Sequence, residues 1–429
     1  MRKLLVGLIF VLYSYLLIPI SLLVFNILSL FNKKIRDSLS GRRKTKALLS
    51  SYGFSKEKVV WIHCASLGEY EQAKPIIDKL KKDDEKIKIV LTFFSPSGFN
   101  RVEHENIDFK AYLPFDYPNS IKTFIRTINA DILILAGYDV WPNFIRYTHL
   151  AKIPIFIISA RLRKDSHRLK PIISYWQKEI YSMIDKVLSV TEDDTERFIR
   201  LGVRRDAIKV LGNTRYDQVI ERRGETVPYE SELSLVSTDK TVLVLGSIWN
   251  SDMTVIFDSL LSALSLNPDL LVVFVPHDPE INFLEQISSQ LDRKKLNTVK
   301  YSTIQENKSK IRAILVESIG HLAGLYKFAD IAYLGGGFGA GVHNVMEPAV
   351  YGIPVIYGPK LKNSKTAQYL SEFGGGFIVK TADKFDEVLT ELLQNSNLRT
   401  AAGKSAYKII IDHSGATDKT VREIEMILK

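Results

Sequence analysis

The first 31 residues hold the feature that most constrains what this chain can fold into. Positions 4 to 31 carry no charged side chain over 28 consecutive residues. About 20 apolar residues suffice for a helix to cross a bilayer. A cleavable signal peptide would have an apolar core of roughly 7–15 residues and then a small-residue cleavage site, whereas basic residues follow directly here. Residues 1–34 are therefore predicted to form a transmembrane anchor, although Pro19 is compatible with a kinked or shallow insertion.

The two flanks of this segment differ in charge, which predicts its orientation. Two basic residues precede it, and seven follow it against one acid, Asp37: Lys33, Lys34, Arg36, Arg42, Arg43, Lys44 and Lys46. The more basic flank stays in the cytoplasm. The same cluster accounts for much of the net charge of +10 and can bind anionic lipid headgroups. Nucleic acid is not expected as a partner, since the sequence shows no basic stripe interleaved with aromatic residues.

The remainder of the chain alternates short apolar runs with amphipathic helical stretches. Buried strands are predicted at 59–64, 87–92, 132–136, 153–158 and 186–190, and again at 241–245, 270–276, 311–316, 331–334 and 354–357. Such alternation is typical of parallel, doubly wound sheets. The polar, period-free stretch between the two sets indicates a linker. We therefore predict an N-terminal α/β domain over 35–222, a linker over 223–240 and a C-terminal α/β domain over 241–429, with ligands at the carboxyl ends of the strands in a cleft between the domains.

Cysteine and histidine usage bounds the chemistry. The one cysteine, Cys64, cannot form an internal disulfide, which favours a cytoplasmic setting. The histidines, among them His63 and His343, show no H-x-x-x-H or H-E-x-x-H spacing. A bound metal is therefore not predicted.

A carboxylate at the start of a helix is the first candidate for catalysis. The segment 61–69, WIHCASLGE, runs from a strand through a Ser-Leu-Gly turn to Glu69. A carboxylate there is stabilised by the helix dipole, which is a purely structural role. It could equally serve as a general base at the sheet edge. The local pattern leaves both interpretations open.

Several features of the second half suit a phosphate or nucleoside. Ser247 follows Gly246 at a strand end, where free backbone N–H groups can bind phosphate. No G-x-x-x-x-G-K-[ST] run is present, and the glycine-rich run 335–341 does not match G-x-G-x-x-G, so a P-loop is excluded and a dinucleotide site disfavoured. Glu347 enters a helix after that run. It could be a dipole partner or an acceptor for two ribose hydroxyls.

Taken in order, the motifs of this chain resemble those of the Kdo (3-deoxy-D-manno-octulosonic acid) transferase family. The blocks are WIHCASLGE at 61–69, LPFD at 113–116, DVWPN at 139–143, SARL at 159–162, RFIRLG at 197–202, GNTRYD at 212–217, GS at 246–247, VPH at 275–277, LGGG at 334–337 and HNVMEP at 343–348. Together with the N-terminal anchor they cover nearly the whole chain. Jointly they are specific, although each block alone is not.

The resemblance implies a GT-B glycosyltransferase, two Rossmann-like domains facing a cleft, acting at the inner membrane of a bacterium. Such an enzyme moves Kdo from CMP-Kdo to a lipid A precursor with inversion, and needs no cofactor. Glu69 matches the catalytic base, and Arg215 matches a basic residue that steadies the departing CMP phosphate. The nucleotide would be bound by ten residues: Ser247, Pro276, His277, Ile319, Gly320, His321, Asn344, Val345, Met346 and Glu347.

The chain also departs from the family pattern. Many members have two acids before the Trp-Pro-Asn, where this chain has Gly137 and Asp139. Asp139 is a candidate substitute for the missing acid. His277 and His321 stand where Arg and Glu are common. These departures indicate a divergent branch and leave two alternatives: a GT-B transferase for another sugar or acceptor, or a catalytically dead, membrane-tethered nucleotide-binding protein.

Overall fold

A computed structural model describes residues 2–49, 57–137, 139–306, 310–361 and 364–429, with side chains described except at 2–5, 46–49 and 172. The chain forms two compact units, which we call the first unit (Met1–Gln218 with Ser414–Lys429) and the second unit (Val219–His413). These bounds differ from the predicted domains. The stretch predicted as a linker, 223–240, belongs to the second unit and contains a helix, Glu230–Ser237, while the last 16 residues join the first unit.

The first unit is built on a parallel seven-stranded sheet. Its strands are β1 (Val59–Cys64), β2 (Lys88–Phe93), β3 (Phe109–Tyr112), β4 (Ile132–Ala136), β5 (Ile155–Ala160), β6 (Lys186–Ser189) and β7 (Ile208–Val210). They lie in the order β3-β2-β1-β4-β5-β6-β7. Every residue of β1, β4 and β5 is buried, as expected for central strands covered by helices on both faces.

The helices of the first unit alternate with these strands. They are α1 (Arg2–Leu12), α2 (Ile18–Ser29), α3 (Lys33–Leu49), α4 (Leu67–Asp83), α5 (Pro96–Phe99), α6 (Pro118–Ile128), α7 (Pro142–Leu150), α8 (Pro171–Tyr181), α9 (Glu192–Arg200) and α10 (Arg215–Arg222), with a π-helical segment at Tyr13–Leu17 and 3-10 turns at His167–Leu169 and Arg205–Ala207. The last four residues of α10 belong to the second unit. In the part of the chain that the structure describes, one helix is long and apolar enough to cross a membrane, Val6–Ser29.

The second unit repeats the plan with its own parallel sheet. Its strands are β8 (Thr241–Ile248), β9 (Leu270–Pro276), β10 (Thr298–Lys300), β11 (Ala313–Leu315), β12 (Ile331–Leu334), β13 (Val355–Tyr357) and β14 (Gly376–Ile378), in the order β10-β11-β9-β8-β12-β13-β14. Its helices are α11 (Glu230–Ser237), α12 (Asn250–Leu266), α13 (Ile281–Arg293), α14 (Leu322–Leu325), α15 (Met346–Ala349), α16 (Lys365–Glu372), α17 (Ala382–Gln394) and α18 (Ser396–Asp412), with 3-10 turns at Tyr301–Glu306 and Tyr326–Phe328.

The last helix, α19 (Ala416–Leu428), packs on the first unit through hydrogen bonds, ion pairs and apolar contacts. Its N-terminal backbone N–H groups, at Gly415 and Thr417, donate to the carboxylate of Asp217 over 2.5 and 2.7 Å, a favourable site for a negative charge. Glu423 bridges Lys186 and Lys209 over 2.5 and 2.6 Å. Its apolar side chains Val421, Ile424 and Leu428 complete one of the first unit's cores.

Each sheet changes winding direction at one pair of neighbouring strands. In the first unit this switch point lies between β1 and β4, and in the second between β8 and β12. Loops leave the carboxyl ends of such strands in opposite directions and open a crevice. The residues after Cys64 and Ala136, and after Ile248 and Leu334, are therefore placed where ligands bind in this class of fold.

Candidate active site

Glu69 lies in the first turn of α4, directly after the switch-point strand β1. The hydroxyl of Ser66 donates to Oε2 of Glu69, so one carboxylate oxygen is held by the residue that precedes the helix. The other oxygen faces Gly137, because a Cβ built on that glycine would lie 3.9 Å from Oε1 and 3.3 Å from Cγ. The carboxylate is half-buried. The Glu69 carboxylate therefore lies at the sheet edge, and its Oε1 faces a glycine, which has no side chain.

Arg215 is the first residue of α10, and its side chain extends to the start of α4, next to Glu69. Its NH2 group donates to the carbonyl oxygen of Gly68 over 2.8 Å, one residue before Glu69. Burial lowers the pKa of Arg215, and the charges of Glu69 and Glu71 oppose that shift. Its Nε–H is buried and has no hydrogen-bond partner among the described residues. A buried, unpaired guanidinium donor is costly in a folded protein, which suits a site that receives an anion.

The loop before Arg215 is fixed by hydroxyl groups. Thr214 Oγ1 donates to the carbonyl oxygen of Gln72 over 2.6 Å and lies 2.9 Å from the hydroxyl of Ser159 at the end of β5. Ser159 has a φ of 47°, a left-handed conformation that is uncommon for a residue other than glycine. These contacts join the SARL and GNTRYD blocks to α4, and so bring Arg215 next to Glu69.

Asp139 follows β4, on the other side of the switch point. Its Oδ2 accepts the indole N–H of Trp141 over 3.0 Å and lies 3.3 Å from Nε2 of His63. Burial would raise the pKa of Asp139, but the hydrogen bonds from His63 and Trp141 outweigh it and hold the pKa below its usual value. On the other side of the ring, His63 Nδ1 lies 3.0 Å from the Thr92 hydroxyl. Asp139 is therefore a carboxylate held in place by two donors, a weaker base than an unpaired one.

In the second unit, the predicted donor residues partly line one cavity of about 260 Å³. Four predicted residues border it, Ser247, Gly320, Asn344 and Glu347, together with Arg222, Leu322, Ala323, Leu334 and His343. The amide of Asn344 donates to Oε1 of Glu347 over 3.1 Å. Arg222 NH1 lies 3.8 Å from the same oxygen. An acidic group, an amide and a guanidinium thus face one small space.

The backbone around this cavity is shaped by Ser247 and the glycines after β12. Ser247 has a φ of 51°, and a Cβ on Gly335 would lie 2.2 Å from its carbonyl oxygen, so only glycine fits there. Asp252 holds the two loops together. Its carboxylate accepts the backbone N–H of Trp249 over 3.0 Å and that of Gly336 over 2.8 Å.

An aromatic stack lies beside this cavity and was not predicted from the sequence. Trp249 stacks on His277 with ring centroids 4.3 Å apart, and His277 stacks on His343 at 4.6 Å. The Trp249 indole N–H donates to Nε2 of His343 over 2.8 Å. Burial lowers the pKa of His343, and the neighbouring His277 lowers it further. His343 is therefore an acceptor at Nε2, which requires a neutral ring.

The other predicted donor residues lie outside this cavity's lining. Val345 and Met346 are buried and pack into the unit, and Pro276 is the buried last residue of β9. Ile319 is exposed, and the His321 ring lies 5.5 Å from that of Tyr301. His277 is exposed and belongs to the stack. Two of these six contact a residue of the cavity: His277 stacks on His343, and the backbone N–H of Met346 donates to Oδ1 of Asn344 over 3.3 Å.

Comparison with known proteins indicates the family that this chain resembles. The profile of 3-deoxy-D-manno-octulosonic-acid transferases (Kdo transferases) matches residues 41–218. The 3-deoxy-D-manno-octulosonic acid transferase of Haemophilus influenzae is 29% identical over 395 residues, which is 89% of this chain and 91% of that protein. The transferase of the same name from Aquifex aeolicus is 28% identical, over 78% of this chain and 86% of its own. The chain is therefore similar to Kdo transferases over most of its length, which supports this family and with it a glycosyltransferase.

Solved structures provide a comparison for the fold. The UDP-GlcNAc 2-epimerase of Neisseria meningitidis, bound to UDP-GlcNAc, matches with a TM-score of 0.58 at 16% identity, over 83% of this chain and 99% of that one. Identity this low shows the fold alone. Two parallel seven-stranded sheets with this likeness establish the predicted GT-B architecture.

The charges of two further arginines in the first unit lower pKa values at the candidate site, and neither arginine was predicted from the sequence. The charge of Arg161 lowers the pKa of Arg215, and that of Arg168 lowers the pKa of Asp139. Arg161 directly follows β5, where the carboxyl-end rule could have identified it. Arg168 lies in a 3-10 turn and has no comparable sequence signal. Among the described residues, no group of three or more His, Cys, Asp or Glu side chains is placed to hold a metal ion.

Proposed function

We propose that this chain transfers Kdo from CMP-Kdo to a lipid A precursor, lipid IV-A, with inversion at the anomeric carbon, in the biosynthesis of the lipopolysaccharide core. One observation carries the proposal. Glu69 and Arg215 lie together at the switch point of the first sheet, joined through Gly68. Oε1 of the acid faces Gly137, and the Nε–H of the arginine has no hydrogen-bond partner among the described residues. A base and an anion clamp are the two groups that this reaction needs.

Glu69 would act as the general base. As the acceptor hydroxyl oxygen attacks the anomeric carbon, its proton passes to the Glu69 carboxylate, and Ser66 holds the second oxygen so that Oε1 stays directed outward. The bond from that carbon to the CMP phosphate oxygen breaks, and its electron pair leaves with CMP. Attack opposite to the departing group gives inversion. General base catalysis of this kind contributes about 10²–10⁴-fold.

Arg215 would stabilise the departing phosphate. Negative charge grows on the CMP oxygen as the bond breaks, and a positioned, poorly solvated guanidinium stabilises it more strongly than water does. The burial that lowers the Arg215 pKa also removes competing water. Asp139, held by His63 and Trp141, would orient the acceptor rather than take its proton.

The second unit would bind the nucleotide. Glu347 would accept the ribose hydroxyls, and Asn344 donates to one of its oxygens. Backbone N–H groups around Ser247 suit the phosphate. The Trp249 and His343 rings offer a flat surface for the base, and aromatic stacking is worth about 1–3 kcal/mol per base.

We further propose that the protein works on the cytoplasmic side of the bacterial inner membrane. If the helix crosses, this orientation rests on the basic residues that follow it. If the helix lies along the bilayer, the whole chain stays on one side of the membrane. CMP-Kdo is soluble and the acceptor is a lipid, so an anchored enzyme meets both.

The test is transfer by purified protein. Lipid IV-A is incubated with CMP-Kdo and the full-length chain in detergent, and the lipid product is read by mass spectrometry. A mass increase of one or more Kdo units is expected, with release of CMP. A protein that binds CMP by thermal shift yet adds nothing would favour the catalytically dead alternative, and transfer to another lipid only would favour the alternative acceptor.

A further inference from the structure

One face of the N-terminal apolar helix lies against the first unit along its length. Val6, Phe10, Ser14 and Ile18 are buried, and Leu22, Phe25 and Ser29 continue the line half-buried. At about 1.5 Å per residue, this stripe runs for about 35 Å. The hydrocarbon core of a bilayer is about 30 Å thick. The folded body of the first unit therefore accompanies the helix over a distance as long as a full crossing.

Polar groups fix the middle of the helix to that body. The Tyr13 hydroxyl donates to Oδ2 of Asp116 over 2.8 Å, and the Ser14 hydroxyl donates to Oδ1 of Asn143 over 2.9 Å within the buried interior. The π-helical segment that begins at Tyr13 lets two consecutive residues face the unit. The Asp116 carboxylate also accepts the backbone N–H groups of Asn143 and Phe144 at the start of α7.

Aromatic rings extend this attachment on both sides. Phe10 and Tyr13 pack on Trp176 of α8 with centroids 5.8 and 5.3 Å apart. Farther along, Phe25 packs on Phe115 at 5.7 Å. The guanidinium of Arg146, on α7, lies 4.7 Å above the Phe10 ring. Direct contacts therefore reach from residue 10 to residue 25.

The opposite face of the helix is apolar and uncovered. Its exposed side chains are Leu8, Val11, Leu12, Tyr15, Leu16, Leu17, Ile20, Leu23, Val24, Ile27, Leu28, Leu30 and Phe31. The next helix, α3, adds exposed positive charge with Lys33, Lys34, Arg36, Arg43 and Lys44. An apolar face bordered by basic residues is typical of helices that lie in a membrane surface and bind anionic lipids.

A full crossing conflicts with these contacts. A helix crossing the bilayer on its own is surrounded by lipid, whereas here Asp116 and Arg146 lie beside it. Ionisable groups inside the hydrocarbon core are costly, and the unit that carries them is a water-exposed α/β body. Either the contacts break in the membrane, or the helix does not cross.

We infer that the helix of residues 2–29 lies along the surface of an anionic phospholipid bilayer, held to the first unit by Asp116 and Asn143, and does not cross. Its exposed face enters the lipid, and both chain termini remain on the same side of the membrane. The inference concerns the mode of attachment. It does not depend on the sugar transferred.

Cross-linking in native membranes tests the attachment. Ser14→Cys with Asn143→Cys joins two side chains now in hydrogen-bond contact, and Ser21→Cys with Asn143→Cys is the matched control, because Ser21 is exposed on the same helix. The native Cys64 is buried and does not compete. Under mild oxidation of membranes that contain the full-length chain, the first pair is expected to form a disulfide and the second is not. Absence of the disulfide in an active 14/143 variant, or equal yields in both, overturns the inference.

Topology provides a test that needs no change inside the fold. An epitope tag before Met1 and another after Lys429 are exposed to protease in intact spheroplasts. Both tags are expected to survive until the cells are lysed. Digestion of the N-terminal tag alone in intact spheroplasts means that the helix crosses, and overturns the proposal.

Vesicle binding tests whether lipid covers the exposed apolar face of the helix. Purified chain is expected to float with vesicles of phosphatidylcholine and phosphatidylglycerol. Leu16→Ser with Leu23→Ser is expected to reduce the bound fraction at least tenfold, because two apolar side chains no longer enter the lipid. If the chain instead forms a dimer that these substitutions dissociate, and vesicle binding is unchanged, the face belongs to a second copy and the lipid assignment is wrong.

Discussion

Ser66 donates its hydroxyl hydrogen to Oε2 of Glu69 across the first turn of α4. The serine does not cap the helix backbone with its side chain. It holds the acid instead, so that Oε1 of Glu69 faces Gly137. A carboxylate held in this way has a fixed orientation, which suits a general base that must lie within hydrogen-bond reach of the proton it removes.

The first prediction concerns proton removal. Glu69→Gln keeps the size of the side chain but cannot accept a proton at neutral pH, so Kdo transfer is expected to fall by about 10²–10⁴-fold. CMP binding should be unchanged, because the predicted nucleotide residues lie in the second unit. Glu85→Gln, an exposed acid of the same unit, is the matched control and should transfer normally. A folded Glu69→Gln enzyme with near wild-type rates would rule out this base.

Asp139 gives an internal contrast to that experiment. Its pKa is held low because His63 and Trp141 donate to it against the effect of burial, so it is a poorer base than an unpaired carboxylate. Asp139→Asn is expected to raise the KM for the acceptor more than it lowers kcat. If Asp139→Asn is inactive and Glu69→Gln is active, the two roles are reversed.

The second prediction concerns the leaving group. Arg215→Lys keeps a positive charge but loses the guanidinium fork, whose NH2 group donates to the Gly68 carbonyl and whose Nε–H is proposed to reach the departing phosphate. Removal of one transition-state donor typically costs about 10²–10³-fold in kcat, and a lysine is not a substitute at a two-donor site. We expect this loss in kcat with little change in the Kd for CMP. Arg204→Lys, an exposed position, serves as the control, and an equal loss there would point to a nonspecific effect.

The third prediction concerns the donor. Glu347→Ala removes the carboxylate that we propose accepts the ribose hydroxyls, and a hydrogen bond to a charged group is worth about 1.5–3 kcal/mol. The Kd for CMP should therefore rise by about 10- to 150-fold at constant folded fraction, measured by calorimetry. Glu285→Ala, on the exposed side of α13, should leave the affinity unchanged. Unaltered affinity in Glu347→Ala would refute the assignment of the ribose contact.

The sequence predicted the central strands well and the outer strands not at all. All ten predicted strands correspond to strands of the two sheets, whereas β3, β7, β10 and β14 were missed. These four are the edge strands, and each has only three or four residues. A central strand is covered on both faces and reads as a continuous apolar run. An edge strand needs no such run, so its pairing is decided by the tertiary structure.

The candidate site divides in the same way. Glu69 and Arg215 are each recognisable within a local block, but their meeting through Gly68 depends on how the first sheet is wound. Trp249, His277 and His343 are separated by 28 and 66 residues along the chain, and their stack has no local signature. Local pattern therefore supplied the candidates, and long-range packing supplied the geometry.

The fourth prediction concerns pH. Burial lowers the folded-state pKa of His343 below its unfolded value of about 6.5. The unfolded chain therefore binds more protons in the interval between the two values. Stability from this residue is complete above about pH 6.5 and is lost as the pH falls through the folded pKa. His343→Gln keeps an acceptor for Trp249 but does not titrate. The Tm of the wild type should fall relative to that of the variant between pH 7.5 and pH 5.5, and a constant difference would contradict the shift.

The fifth prediction concerns the glycine at the position of the missing acid. Gly137 has a φ of 84°, a left-handed conformation that costs other residues about 1–3 kcal/mol. A Cβ there would also lie 3.3 Å from Cγ of Glu69. Gly137→Ala is expected to lower the free energy of unfolding by that amount. It should also reduce transfer by up to about 10²-fold, since a displacement of about 1 Å in a catalytic group can cost that much.

The control for this position is Gly224→Ala, where a Cβ would meet nothing within 4 Å and stability should be unchanged or slightly higher. Gly137→Glu restores the acid that many family members carry. If the space beside Oε1 of Glu69 receives the acceptor hydroxyl, the glutamate variant should be slower than Gly137→Ala, because its longer side chain adds a second negative charge beside the base. A Gly137→Glu enzyme that is faster than the wild type would show instead that the chain lacks a carboxylate that its chemistry can use.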